Sequence, residues 1–339
     1  MTWQADYLQA YRQHPSTWRQ QLPEALTRLA AILHINDLLS LLPPMCTQVI
    51  LVPHRLLHVV PLHALPIEAE PGQYLIDRFT RGVRYVPSCQ LLHHVQRQPP
   101  TDFQRLFAVQ NPTGDLAYAA LEVDHIRPHF ASEEAVVLTG QDATTTCLAH
   151  PPVADQLRQA QCVHFACHGV FRVEAPLQSA LHLADGVLPL ADIFHLDLQH
   201  TRLVTLSACE TAWTDLDSRS DEYLGLPGGF LYAGSRGVVS SLWAVSDVST
   251  ALLMIKLYET LQPQRRLQPG MVAMALKTAQ HWLRNLSDDE FENVYDDLRG
   301  VRDRTANNDA LPVTLRGYGQ DRKPFAHPYY WAAFTATGL

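Results

Sequence analysis

Two short stretches decide the fold: CVHFACHG at residues 162–169 and RLVTLSACET at residues 202–211. Each opens as a run of apolar and β-branched residues, the pattern of a strand buried on both faces of a parallel sheet. Each then ends in reactive groups. In open parallel sheets such groups collect just past the carboxyl ends of the strands, where the backbone emerges and helix N-termini point inward. The first strand ends Ala166-Cys167-His168-Gly169 and the second Ser207-Ala208-Cys209-Glu210-Thr211. Neighbouring strands lie about 4.8 Å apart, so adjacency would bring His168 and Cys209 out side by side. A cysteine attacks a carbonyl carbon as thiolate, and an adjacent imidazole supplies that ionisation at neutral pH. Gly169 allows a sharp turn that leaves its N–H available. With the N–H of Cys209 it would form an oxyanion hole for a tetrahedral intermediate.

Outward from these strands the sequence keeps an α/β rhythm. Strands are expected at residues 106–112, 135–140 and 237–245, and within YYWAAFTATG at 329–338. Helical patterns fall at 121–130, at 143–160 with a break at Pro151-Pro152, and at 249–261 and 271–286. Apolar strands alternating with helices predict a mostly parallel sheet flanked by helices, an α/β fold, over residues 101–339. Ahead of it, residues 1–45 read as helix, with Leu22, Leu26, Leu29, Ile32 and Leu33 at helical spacing and Pro43-Pro44 ending the run. Residues 46–100 read as a small β-rich part. There residues 49–65 suggest a hairpin around Pro53-His54-Arg55, and YLIDRF and GVRYVPSCQLL look strand-like. The charged interval 287–324 reads as a solvated insertion.

Composition narrows the function classes. The chain has 339 residues, 26 Lys+Arg against 34 Asp+Glu, and a formal net charge of −8, which argues against nucleic acid as a direct ligand. The most apolar long stretch, residues 224–245, is interrupted by Pro227, glycines and Arg236, so no membrane span is expected. The start MTWQADYLQAYRQ lacks the basic and apolar regions of a signal peptide, which predicts a cytoplasmic protein. Six cysteines (Cys46, Cys89, Cys147, Cys162, Cys167 and Cys209) are too sparse for a disulfide scaffold. No cofactor motif is present.

HFACHG and LVTLSACET, followed by YLGLPGGFLYAGSRGVVSSLWAVSDVST and HPYYWAAFTATG, resemble a CHAT domain. VILVPHRLLHVVPLHAL and YLIDRFTRGVRYVPS resemble its N-terminal part, so the likeness covers the chain from about Val49 onward. The family is similar to caspases and separases, and the His-to-Cys spacing here is near the roughly 50 residues noted for caspases. The resemblance implies a caspase-hemoglobinase fold with His168 as general base, Cys209 as nucleophile and Gly169 as a donor to the oxyanion. It implies a regulated bacterial endopeptidase that cleaves specific protein partners, often in defence or cell-death circuits. Many family members carry tetratricopeptide repeats ahead of the peptidase. Only about 45 residues precede the first expected strand, too few for a repeat array. Sensing is then expected in an activating protein partner, in sequence beyond this chain or in the domain itself.

Other readings compete at several residues. Cys162, His164, Cys167 and His168 crowd together in the manner of zinc ligands. On a strand, however, adjacent side chains point to opposite faces and four ligands do not converge. Cys162 and Cys167 are therefore expected in the core, His164 as an interior histidine, and Trp243 and Trp331 as core aromatics. Glu210 and Asp247 are candidate carboxylates of a specificity pocket, since a buried carboxylate recognises arginine bidentately. Asp247 reads equally as a helix start beside Ser246 and Ser249. Ser207 and Thr211 are expected to satisfy local backbone groups. In a different class, the same fold would serve as a scaffold that binds a peptide without cutting it.

Overall fold

The computed structural model describes residues 3–68, 72–97, 102–170, 172, 175–208, 225–261, 266–300 and 323–338. The chain opens with helices α1 (Trp3–Gln13), α2 (Pro15–Ile32) and α3 (Ile35–Ser40). Leu22, Leu26 and Leu29 of α2 are buried at the expected spacing. Beside them Trp18 meets the buried Trp243 edge-on, with ring centroids 5.4 Å apart. Next come β1 (Val49–Leu51), α4 (Leu75–Arg78), β2 (Val83–Tyr85) and α5 (Cys89–Arg97).

The α/β part follows with β3 (Leu106–Gln110), α6 (Ala119–Ile126), β4 (Ala135–Thr139), α7 (Thr145–Ala149), α8 (Val153–Gln159) and β5 (Cys162–Ala166). A small excursion holds β6 (Gly169–Val170), β7 (Ala180–Leu183), β8 (Gly186–Pro189) and α9 (Leu190–Ile193). The main rhythm resumes with β9 (Leu203–Ser207), α10 (Leu226–Tyr232), β10 (Gly237–Ser241), α11 (Asp247–Leu261) and α12 (Met271–Asn285). It closes with α13 (Asp288–Gly300), α14 (Pro328–Trp331) and β11 (Phe334–Gly338).

Eight strands form one sheet in the order β1-β2-β11-β10-β9-β5-β3-β4, and β6-β7-β8 form a separate three-stranded sheet. Within the large sheet only β10 and β11 pair antiparallel, so the expected mostly parallel α/β architecture is present. Side chains along β5 and β9 alternate between the two faces. Val163 and Phe165, with Val204 and Leu206, join the core on one side, while Cys162 and Ala166, with Leu203, join the core on the other. His164, Thr205 and Ser207 share that second face by the same alternation, beneath α6 and α11.

Several local expectations are corrected. Residues 49–65 do not form a hairpin: β1 pairs parallel with β2, and residues Arg55–Val59 are a 3-10 helix. Leu56, Val59, Val60, Leu62 and Leu65 are apolar because they are core residues, not strand residues. YLIDRF contains helix α4 rather than a strand, and Cys89 begins helix α5. β1 and β2 extend the large sheet. The interval 287–324 is not wholly a solvated loop. Its first part is α13, which buries Phe291, Tyr295 and Leu298 at helical spacing, and residues 301–322 lie outside the described residues.

Candidate active site

β5 and β9 are parallel neighbours, in register from Cys162 opposite Leu203 to Ala166 opposite Ser207. His168 leaves β5 two residues beyond Ala166. Ala208, the residue before Cys209, lines the same cleft as His168, a shallow cleft open to solvent. Leu116, Tyr118, Val245 and Asp247 are among its walls, and Glu122 and Ser207 lie at its base. Cys209, Glu210 and Thr211 themselves lie outside the described residues.

The His168 imidazole is partly exposed, and its Nε2 lies 3.0 Å from Oδ1 of Asp115. A bent loop after β3 brings Asp115 there. Asn111 takes a left-handed conformation (φ 47°), which asparagine tolerates better than most residues. Its N–H donates to the Ala166 carbonyl at 2.8 Å, and its Oδ1 accepts from the Leu116 N–H at 3.0 Å. The loop is thus tied to the end of β5. The Thr113 hydroxyl first, and His168 second, hold the Asp115 carboxyl below the usual carboxylate range.

Gly169 opens β6, opposite Leu181 of β7. The His182 N–H donates to the His168 carbonyl at 2.8 Å. Antiparallel ladders alternate hydrogen-bonded and non-bonded pairs, so Gly169 and Leu181 form a non-bonded pair. The Gly169 N–H therefore points away from β7. Gly169 has no positive φ, so the turn expected of it falls elsewhere.

Asp247 is the first residue of α11 and is exposed by surface area, yet one side of its carboxyl is crowded by protein. That desolvation pushes its pKa up. His168 pulls it down, and the Glu122 and Asp115 charges push it up again. Of the charged groups acting on it among the described residues, only His168 is basic.

Beneath the cleft lies a closed polar seam. Ser207 Oγ–H donates to Glu122 Oε2 at 2.8 Å, and Glu122 Oε1 lies 3.0 Å from His164 Nε2. Those last two atoms are closed to water with no straight hydrogen-bond partner, so a bent Nε2–H···Oε1 contact is what serves both. The Tyr258 hydroxyl meets Thr205 Oγ1 at 2.7 Å and Cys162 Sγ at 3.2 Å. Burial pushes the Cys162 thiol up to about 12, so it is an inert core thiol. The four clustered residues weighed as zinc ligands are engaged apart: Cys162 with Tyr258, His164 with Glu122 and Thr205, and His168 with Asp115, while Cys167 is buried. Among the described residues no group of three or more His, Cys, Asp or Glu side chains is placed to hold a metal ion.

The CHAT domain sequence model matches residues 21–339. The chain belongs to the CHAT domain family. This CHAT domain is 22% identical over 342 residues to human tetratricopeptide repeat protein 28, covering 86% of the chain but only 12% of that protein. Among solved structures it resembles the Arg-specific cysteine proteinase gingipain R of Porphyromonas gingivalis, with a TM-score of 0.50, 10% identity, and 93% and 67% of the two chains covered. It is also similar to separase in the Saccharomyces cerevisiae separase–securin complex, with a TM-score of 0.47, 14% identity, and 83% of this chain and 14% of that one covered. The fold is that of the caspase-like cysteine proteases.

The structure brings His168 and Asp247 of the CHAT domain to one cleft, while Gly169, next in the chain after His168, begins β6. It adds three residues that the sequence reading missed or misread. Asp115 was passed over, although the strand-end rule that singled out His168 applies equally to NPTGD after β3, the strand beside β5. Glu122 carried no local signal, because an acidic residue in a short helix usually faces water. Ser207, expected to serve backbone groups, donates to Glu122 instead.

Proposed function

We infer that this CHAT domain is a cysteine endopeptidase that cuts one or a few protein partners on the carboxyl side of a basic residue. The observation that carries this is the register of β5 and β9: Ala166 is paired with Ser207, so the chain reaches His168 and Cys209 two residues beyond a shared level. With Nε2 of His168 facing Asp115, Nδ1 is left to take the thiol proton. The Cys209 thiolate then attacks the scissile carbonyl carbon. A C–S bond forms, and the carbonyl electron pair moves to oxygen, which the N–H groups of Gly169 and Cys209 receive. Collapse breaks the C–N bond, and the departing amine takes the proton from His168. Water, deprotonated by the same imidazole, attacks the thioester and releases the acid and the thiol.

Preference for a basic residue follows from the charges of the cleft. Asp247 lines it and Asp115 stands at its edge against His168, so a cationic side chain is welcome there. Glu210 is a second candidate carboxylate for this pocket. The Arg-specific neighbour supports the assignment. Family resemblance supports a regulated setting with an activating protein partner, in the bacterial cytoplasm and its defence or cell-death circuits. Among the described residues no helix is long and apolar enough to cross a membrane.

The test is incubation with candidate partner proteins, followed by sequencing of new N-termini. A discrete fragment beginning after Arg or Lys is expected, lost in Cys209→Ala and in His168→Ala. Cleavage that persists in both variants would remove the mechanism. Tight binding without cleavage, and no reaction of Cys209 with an electrophilic Arg peptide, would leave the scaffold reading instead.

A further inference from the structure

The seam under the cleft holds a carboxylate that the proposed chemistry does not use. Glu122 is 2% exposed and sits on α6, which packs on the sheet over β3 and β5 and reaches β9 through Ser207. Burying a carboxylate is costly unless its oxygens are matched, and each oxygen of Glu122 has one partner from a different strand. Oε2 takes the hydroxyl of Ser207, the last residue of β9 and two residues ahead of Cys209. Oε1 takes His164, on β5 and four residues ahead of His168. Further down, Thr205 Oγ1 meets His164 Nδ1 and the Tyr258 hydroxyl, so His164 is held from below as well.

The same segment of chain reaches both halves of the dyad. Asn111 fastens the loop after β3 to the Ala166 carbonyl, Asp115 in that loop faces His168, and α6 follows directly with Glu122. One covalent bracket therefore touches the imidazole at one end and the strand leading to the thiol at the other. We propose that Glu122 is a positioning residue which, through Ser207, fixes where the nucleophile's strand ends relative to His168. This rests on the dyad reading above. A proton transfer tolerates little misplacement, and an error of about 1 Å costs on the order of a hundredfold. A rigid tie at Ser207 is thus a means of keeping thiol and imidazole at transfer distance. Being neutral and small, Ser207 is a weak anchor for an apolar core but a specific one for a carboxylate.

The experiment is a double-mutant cycle on the full chain. The rate of carboxymethylation of Cys209 by iodoacetate is read by mass spectrometry of the peptide that contains it, which separates it from the exposed Cys89. Glu122→Gln and Ser207→Ala are each made with His168 present and with His168→Ala, and circular dichroism confirms that each variant is folded at the assay temperature. With His168 present, each substitution should slow Cys209 by about tenfold, and together they should slow it no more than Glu122→Gln alone, because both act on the Ser207–Glu122 contact. In the His168→Ala background each should change the rate by less than about twofold, since no imidazole remains to be aligned. A loss of equal size in both backgrounds would mean general loosening and overturn the proposal, as would no loss in either. If Glu122→Gln does not fold, Ser207→Ala alone completes the cycle, because it leaves the Glu122–His164 contact in place. Should His168→Ala by itself leave the Cys209 rate unchanged, the dyad reading fails, an outcome distinct from the failure of Glu122 to act through it.

Discussion

Asp115 and Asp247 are two carboxylates near one imidazole with opposite environments, and they should answer differently to substitution. Asp115 is 65% exposed, so water screens its pairing with His168 and the contact orients the ring more than it holds a charge. Asp115→Asn is expected to lower kcat by about five- to tenfold, with KM nearly unchanged, in a steady-state assay on an Arg-containing peptide. Asp247 has its pKa raised, chiefly by desolvation. A raised carboxyl favours the protonated form in the folded state. Its contribution to stability is present at low pH and is lost as pH rises through the raised value. Asp247→Asn should therefore raise the melting temperature at neutral pH, and the gain should vanish at pH values below the ordinary carboxylate range. The same change should abolish the preference for a basic residue. In the wild type, kcat/KM for such a substrate should fall on acidification at a pH above the usual Asp range, and the variant should lose that component of the acid limb.

Among the elements, the strands that carry chemistry were legible and the connectors were not. β5, β9 and β10 fall inside apolar runs ending in Gly or Ser, where periodicity and turn chemistry agree. The error at residues 56–65 has a plain cause: a buried irregular segment and a buried strand are equally apolar, and periodicity does not separate them. In α13 the apolar positions are only every third or fourth residue among acids, so the eye takes the charge and misses the face. Phe291 of that face meets Phe325 with ring centroids 5.2 Å apart, in the core. Phe291→Ala should cost about 3–5 kcal/mol in urea unfolding. The site was half legible for a related reason. His168 and Cys209 announce themselves by type and strand end, whereas Asp115, Glu122 and Ser207 matter through contacts made across 53 and 85 residues of chain. Tyr118, at the start of α6, meets Tyr295 of α13 with hydroxyls 3.1 Å apart, so the once-misread helix touches the bracket that holds the dyad.

At the scale of the molecule, a net charge of −8 adds to an acidic cleft. Association with a basic substrate should be steered electrostatically and weaken with salt, because the Debye length shrinks from about 10 Å at 0.1 M to about 3 Å at 1 M. A fall in kcat/KM with added NaCl at nearly constant kcat is the expected result. The sheet order holds a second consequence. β11 follows the other described strands of this sheet in the chain, yet it lies between β2 and β10. Translation delivers residues at about 5–20 per second and domains tend to fold as they emerge, but here the middle of the sheet is missing until residues 334–338 have been made. While the ribosomal tunnel still covers residues 334–338, β1 and β2 have no seam through which to join β10. A nascent chain is thus kept open at its centre until those residues emerge, so the strands made earlier wait on the most C-terminal one before the sheet can close.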